Sequence, residues 1–426
     1  MSIQAWKNRF SRAVAFSRDR GLKALFVRVF QVVLNPAALD RELRQSLVQD
    51  VRKHYWFVQK QAIGQTLPAD AIRPNTVNWF VPDVGRGSGG HLNIFRFISY
   101  LEEQGFECRI VAIGDNFPNL APEQLKKDIA NWYFPLKAET YVGAHTAPPA
   151  AMSFATAWQT AYIVRNFQPT LHKCYFVQDF EPWFAAAGSQ SALAEETYRF
   201  GFMGITAGSW LADRLKRDYG MTTYPLGFSY ARDLYVPPPD ESAQLASRRI
   251  FFYARPSTPR RGFELGILVL SEVARRMPDV TMVMAGGSLR AYQFPFKFES
   301  RDIVKLSDLP QLYGTCSAAL VLSFSNLSLL PLELMACGVP VVSNRGPNTE
   351  WLLNESNARL EPPTVEALAD AICDVLQNPA EAKRLREGGL KAAGATDWAT
   401  EGLKLGQILQ ALQASSVPNC GVEQHG

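Results

Sequence analysis

Four segments of this sequence carry residue types that could do chemistry. The loop Arg255-Pro256-Ser257-Thr258-Pro259-Arg260-Arg261-Gly262 follows a strand-like run, Arg249–Ala254. Guanidinium forks bind phosphate oxygens bidentately, so Arg255 and Arg261 at a strand's carboxyl end would make a diphosphate clamp; the plainer alternative is a solvated basic loop. Glu333 is a lone acid in the apolar run Leu329–Val342. A carboxylate there is costly unless partnered, and either a pair of ligand hydroxyls such as a ribose or an internal arginine would satisfy it. The glycine-rich segment 82–91 lets the backbone approach a ligand closely at a helix N-terminus. Gly85, Gly87 and Gly90 fit G-x-G-x-x-G, but the acid that a dinucleotide fingerprint needs about 20 residues on is not cleanly placed, so a tight turn is the alternative. Lastly, Gln178, Asp179 and Glu181 follow the buried run Lys173–Val177 and precede Pro182.

These segments need rigid elements to position them. From Asn75 onward short β-like runs alternate with helical stretches: strands at Thr76–Val81, Cys108–Ile113, Glu139–Val142, Lys173–Val177 and Gly204–Ala207, with a helix at about Leu92–Gln104. The alternation breaks at Val236-Pro237-Pro238-Pro239 and restarts at Arg249, giving strands to 254, 280–285, 318–322 and 339–343 and helices at 263–276, 308–316 and 330–336. Such alternation predicts parallel, doubly wound sheets. The expected organisation is an α/β chain: a basic helical extension over 1–60, a Rossmann-like domain over 61–236, a linker at 237–248, a second Rossmann-like domain over 249–413, and a flexible tail at 414–426.

Charge is unevenly spread. The chain has 44 Lys and Arg against 40 Asp and Glu, a net of +4. Residues 1–34 hold seven bases and one acid, +6, which leaves 37 bases against 39 acids elsewhere, or −2. Averaged over the chain, the net charge is too weak to argue for a nucleic-acid partner, and none is expected. Leu22, Leu25, Phe26, Val29 and Val33 recur at helical spacing, so an amphipathic helix on an anionic membrane surface fits, as does a helix packed on the main body. The apolar run 24–34 is too short to span a bilayer. The six cysteines and five histidines show no ligand spacing, so a metal site is not expected, and reduced thiols suit a cytosolic protein.

The run Leu329–Val342 resembles the signature of glycosyltransferase family 4, approximately E-G-F-G-L-P-x-L-E-A-M-A-x-G-x-P-V-V. Arg255 and Arg261-Gly262 resemble that family's pair on the donor diphosphate, and Gly85–Gly90 resembles its N-terminal glycine loop. The segments Tyr175–Phe184 and Tyr198–Phe202 look like the bacterial rhamnosyltransferases that build cell-surface glycans. The resemblance implies a GT-B fold, two Rossmann-like domains facing each other across a cleft. It also implies metal-independent, configuration-retaining transfer of L-rhamnose from dTDP-rhamnose, a nucleotide sugar acting as substrate, with no cofactor. No D-x-D, the metal-recruiting motif of the other major glycosyltransferase fold, occurs here.

In that frame Arg255, Arg261, Gly89, Gly90, Ser328 and Leu329 serve the diphosphate and Glu333 the ribose. Asp179 or Glu181 would orient or deprotonate an acceptor hydroxyl, unless both cap a helix or bind Arg199. Gln178 stands where many members place a histidine, and Ser325 falls where the family has its first motif glutamate. The acceptor expected is a glycan, lipid-linked, at the inner face of the cytoplasmic membrane, in O-antigen-like synthesis. A family 4 enzyme using a GDP- or UDP-sugar, or a catalytically silent glycan-binding subunit, are the alternatives.

Overall fold

The computed structural model describes residues 51–114 and 120–415; the expected helix within residues 1–34 and the tail from 416 onward lie outside the described residues. The chain divides into two units, 1–59 and 60–426. In the first, the described part is a short helix, Val51–His54, and a 3-10 turn, Trp56–Val58.

The second unit contains two sheets built one after the other. The first comprises β1 (Thr76–Val81), β2 (Glu107–Ala112), β3 (Glu139–Val142), β4 (Ala150–Ala155), β5 (Thr170–Val177), β6 (Met203–Ala207) and β7 (Thr223–Leu226), in the order 3-2-1-4-5-6-7. The second comprises β8 (Arg249–Tyr253), β9 (Thr281–Ala285), β10 (Phe298–Ser300), β11 (Ala318–Val321), β12 (Val341–Asn344) and β13 (Arg359–Glu361), in the order 10-9-8-11-12-13. Neighbouring strands are parallel throughout. Each sheet reverses its winding beside its first strand, at β1/β4 and at β8/β11. Ligands of doubly wound folds bind outside the carboxyl ends of strands at such switch points.

Helices cover both faces, so β1, β4, β9, β11 and β12 are buried along their whole length, as parallel strands require. In the first core Trp79 of β1 stacks on Phe154 of β4 at 4.4 Å and meets Phe176 of β5 edge-on at 5.7 Å. In the second, Ile250, Phe252, Met282, Met284 and Leu320 pack under Val269, Leu270 and Val273.

The helices that matter below are α1 (Gly89–Glu103), α2 (Trp158–Asn166), α3 (Ser209–Tyr219), α4 (Phe263–Arg276), α5 (Leu330–Ala336) and α6 (Trp398–Ala414). Helix α1 starts three residues before the expected Leu92, because Ser88 caps it and accepts from the His91 N–H at 3.4 Å; glycines are tolerated in a capped first turn despite low helix propensity. Helix α6, read from sequence as part of the second domain, lies on the first. Its Trp398 meets Phe97 of α1 at 5.7 Å, Gln104 Nε2 donates to the Gly402 carbonyl at 3.0 Å, and Gln413 exchanges hydrogen bonds with Asn75 at 2.8 and 3.0 Å. Residues 398–413, expected in the second domain, thus pack on the first. No helix among the described residues is long and apolar enough to cross a membrane.

Candidate functional site

Loops from the carboxyl ends of β1, β5, β8 and β11 meet between the two sheets, and Asp179, just past β5, lies at their junction. It is buried. Its Oδ1 accepts from the Asn326 N–H at 2.7 Å and from the neighbouring Phe180 N–H at 2.8 Å, while Oδ2 accepts from the Ser325 hydroxyl at 2.9 Å. Arg260 Nε stands 3.4 Å and Arg261 Nη2 3.7 Å from the same Oδ2. Asp179 thus faces the second domain. The turn that carries it is fixed from behind: the Glu181 N–H donates to the buried Tyr198 hydroxyl at 3.1 Å, and Arg214 of α3 covers the rings of Phe180 and Trp183 at 4.0 and 4.4 Å.

The arginine loop is locked to the β11 loop. Arg261 Nη1 donates to Ser323 Oγ at 2.6 Å and to the Asn326 carbonyl at 2.9 Å, and the Phe324 N–H donates to the Arg260 carbonyl at 2.8 Å. Asn348 braces the same loop, donating to the Ser323 and Ser325 carbonyls at 2.9 and 2.7 Å. The turn needs glycine at 262: φ is +62°, and a Cβ would come within 2.9 Å of the Phe324 ring. Burial pushes the Arg261 guanidinium below its ordinary pKa, and Asp179 opposes that shift. Arg261 and Ser328 line one small crevice with Tyr253 and Leu330. Arg255 is exposed and donates to the Tyr253 hydroxyl at 2.9 Å. Leu329 is the N-cap residue of α5.

Gln178 joins the glycine loop to this junction. Its Nε2 donates to the Gly90 carbonyl and its Oε1 accepts from Asn93, both at 3.1 Å, while its own carbonyl accepts from Asn326 Nδ2 at 3.0 Å. A Cβ at Gly90 would make only an ordinary contact, 3.4 Å from Gln178 Nε2, and the space at Gly89 is open.

Glu333 on α5 is raised to about 7 by burial, opposed by the Tyr235 hydroxyl and by the Arg96 guanidinium. Arg96 comes from α1 of the first domain, lies 5.0 Å over Trp398, and keeps a buried Nη1 without a hydrogen bond. Glu333 therefore has internal company, the Tyr235 hydroxyl and the Arg96 guanidinium.

Glu181 is different. Its two oxygens accept from the Trp158 N–H at the start of α2 and from the buried Tyr175 hydroxyl, both at 2.8 Å. Of the two readings offered by the sequence, helix capping describes Glu181, and burial raises its pKa to about 7. Neither acid binds Arg199, which pairs with Glu195 at 3.0 Å.

Arg260, Ser323, Asn326, Arg96 and Tyr235 belong to these clusters and were not singled out from sequence. Arg96 carried a usable signal: it is a lone base in the apolar stretch Ile94–Ile98, the same reasoning that selected Glu333. Asn326 carried none, because its partners are far away in the chain.

Residues 248–373 match the family model described as WsaF, C-terminal domain. The O-antigen biosynthesis protein RfbC of Myxococcus xanthus is 33% identical over 347 residues, 77% of this chain and 26% of that protein. A GDP-mannose-dependent alpha-(1-6)-phosphatidylinositol monomannoside mannosyltransferase of Mycolicibacterium smegmatis is 26% identical over 205 residues, 42% of this chain and 53% of that protein. The chain thus spans about a quarter and about half of these two relatives. Among solved structures, sucrose-phosphate synthase from Thermosynechococcus elongatus superposes with a TM-score of 0.62 at 19% identity, covering 81% of this chain and 100% of that one. Anabaena HepE in complex with UDP and glucose superposes with a TM-score of 0.61 at 15% identity, covering 79% and 99%. These likenesses establish the fold, the GT-B arrangement of two Rossmann-like domains.

Proposed function

We propose that the chain is a nucleotide-sugar-dependent glycosyltransferase of cell-surface polysaccharide synthesis, moving L-rhamnose from dTDP-rhamnose to a lipid-linked glycan with retention of configuration. The observation that carries the reading is the cation cluster at the β8/β11 switch point, where Arg260 and Arg261 face Asp179 of the first domain beside Ser325 and Asn326, with Arg255 near Arg261. The likeness to an O-antigen biosynthesis protein supports the polysaccharide, and the resemblance in Tyr175–Phe184 supports the sugar.

Glycosyl transfer breaks the bond between the anomeric carbon and the diphosphate oxygen, and the diphosphate leaves with the electron pair. Preorganised cations stabilise that developing charge most strongly in a closed, dry cleft. Arg255 and Arg261 take this role, with backbone N–H groups at Ser328 and Leu329 and close approach at Gly89 and Gly90. The acceptor hydroxyl oxygen forms the new bond, and its proton passes to the leaving phosphate, so no strong protein base is needed. Gln178 and Asp179 lie at the junction where the reacting centre would sit. Glu333 accepts from the sugar hydroxyl of the nucleoside. Residues 1–34 would hold the enzyme at the inner face of the cytoplasmic membrane.

A thermal-shift panel with dTDP, UDP and GDP, followed by turnover of the corresponding sugars, tests the donor. The largest stabilisation is expected with dTDP; a larger one with UDP or GDP reassigns the donor, and none with any nucleotide removes the enzymatic reading. Arg261→Ala should abolish turnover while the fold is kept. Deletion of residues 1–34 should release the protein from anionic vesicles on co-sedimentation, and retention would end the membrane assignment.

A further inference from the structure

We propose that in the donor-free protein the Asp179 carboxylate occupies the second domain's phosphate clamp and latches the two domains together until the donor diphosphate displaces it. The inference rests on the reading of the Arg260–Arg261 loop as a diphosphate clamp and adds how that clamp is regulated.

Every partner of this carboxylate outside its own turn comes from the second domain: the Asn326 N–H at 2.7 Å, the Ser325 hydroxyl at 2.9 Å, Arg260 at 3.4 Å and Arg261 at 3.7 Å. A backbone N–H, a hydroxyl and two guanidinium groups are the donors that bind a phosphoryl group. The two carboxylate oxygens stand in for two non-bridging oxygens of a phosphate. An internal side chain of the first domain thus satisfies a site formed by the second.

The fit is partial, and the misfit gives the direction of exchange. Asn326 and Ser325 make close hydrogen bonds, whereas both guanidinium groups stay at ion-pair distance. Arg260 Nε is buried without a hydrogen-bond partner. A single carboxylate cannot saturate two forks of five donors each. A diphosphate, with more oxygens and a larger charge, can. Exchanging the weaker anion for the stronger one is therefore favourable, and it removes the charged link that crosses the cleft. What then remains between the domains at this point is neutral or weak: Asn326 Nδ2 donating to the Gln178 and Ala207 carbonyls at 3.0 and 2.8 Å, and Arg260 resting 3.9 Å over the Phe184 ring.

A competing role for Asp179 is simple positioning, in which it aims Arg261 at the donor. The two roles predict opposite signs. Removing a competing anion strengthens binding of an external one, because two partly buried cations are left uncompensated; removing a positioning group weakens it.

The test uses the full-length protein and inorganic pyrophosphate, titrated calorimetrically into wild type, Asp179→Asn, Arg261→Ala and the double variant. Asp179→Asn is expected to bind pyrophosphate at least tenfold more tightly than wild type, and Arg261→Ala to lose binding in both backgrounds. Equal or weaker binding by Asp179→Asn, with Arg261→Ala still deficient, overturns the latch and spares the clamp. Unchanged binding by Arg261→Ala overturns the clamp and the latch with it. Hydrogen exchange on the wild type needs no variant to fold. Pyrophosphate should speed exchange in residues 178–184 while protecting 325–330, and protection of both segments would count against displacement.

Discussion

A buried carboxylate titrates where its surroundings put it, and Glu181 and Glu333 show two uses of that. Glu181 is held at about 7 by burial, opposed by the Trp158 N–H and the Tyr175 hydroxyl and assisted by the charge of Asp179. The folded protein therefore binds this proton more tightly than the unfolded chain does. The stabilisation is complete below the ordinary value near 4.5 and is lost as pH rises through 7. Glu181→Gln keeps an oxygen for the Trp158 N–H, turns an amide N–H toward the Tyr175 hydroxyl, which can accept it, and has no such dependence. Wild type should lose about 3 kcal/mol relative to Glu181→Gln between pH 4 and 8, read from denaturant unfolding of both proteins; parallel stability profiles would show that Glu181 is not titrating there. Glu333, also near 7, adds a ligand-side consequence. Its ionised form accepts from the nucleoside's sugar hydroxyl, so dTDP binding should strengthen several-fold as pH rises from 6 to 8, beyond any change seen for pyrophosphate. Glu333→Gln should flatten that difference, and a pH profile identical for dTDP and pyrophosphate in wild type would remove the nucleoside role.

At the scale of elements, legibility tracked locality. Arg261 and Glu333 could be found because a residue type that is costly or purposeful in its place stands out within a dozen neighbours. The strands β1 and β3 are read at their true limits. By contrast β4 is Ala150-Ala151-Met152-Ser153-Phe154-Ala155, poor in strand-forming residues, and is a strand only because it is sandwiched between β1 and β5. Strand β7 contains Pro225, which a sheet accepts at its edge, where β7 lies. The contact between Asp179 and Ser325 joins residues 146 apart, and domain packing sets it, not local pattern. The turn into α4 makes the dependence of site on element testable. Gly262→Ala demands a left-handed backbone and a Cβ inside the Phe324 contact, costing about 1–3 kcal/mol. It should also displace Arg260 and Arg261, so pyrophosphate affinity should fall by more than the loss of stability alone causes. Unfolding midpoints measured beside calorimetric titrations separate the two, and unchanged affinity in a destabilised variant would show that the loop's position does not depend on this turn.

Across the whole molecule, α6 makes the two domains interdependent. The chain leaves the first domain near residue 236, builds the second, and then returns to pack on α1. The close fit needs glycine: a Cβ at Gly402 would lie 2.6 Å from the Tyr100 side chain, and one at Gly406 2.0 Å from Gln104. Trp398 at the head of the helix touches both Phe97 and Phe228 and carries Arg96 on its face, and Arg96 in turn is the cation beside Glu333. The return helix thus supports the first core and the nucleoside end of the site together. Ending the full chain after Thr396 should expose the apolar face of α1 and leave Arg96 without its ring. Removing Trp398 alone forfeits about 3–5 kcal/mol of packing, so a markedly lower first melting transition is expected. Hydrogen exchange should quicken in α1 and β7 while β8, β9 and β11 keep their protection, and dTDP should bind more weakly than to the intact chain although pyrophosphate binding is retained. Uniform loss of protection in both sheets would mean that the domains unfold as one unit, and unchanged exchange in α1 would mean that the returning helix is not what holds the first domain together.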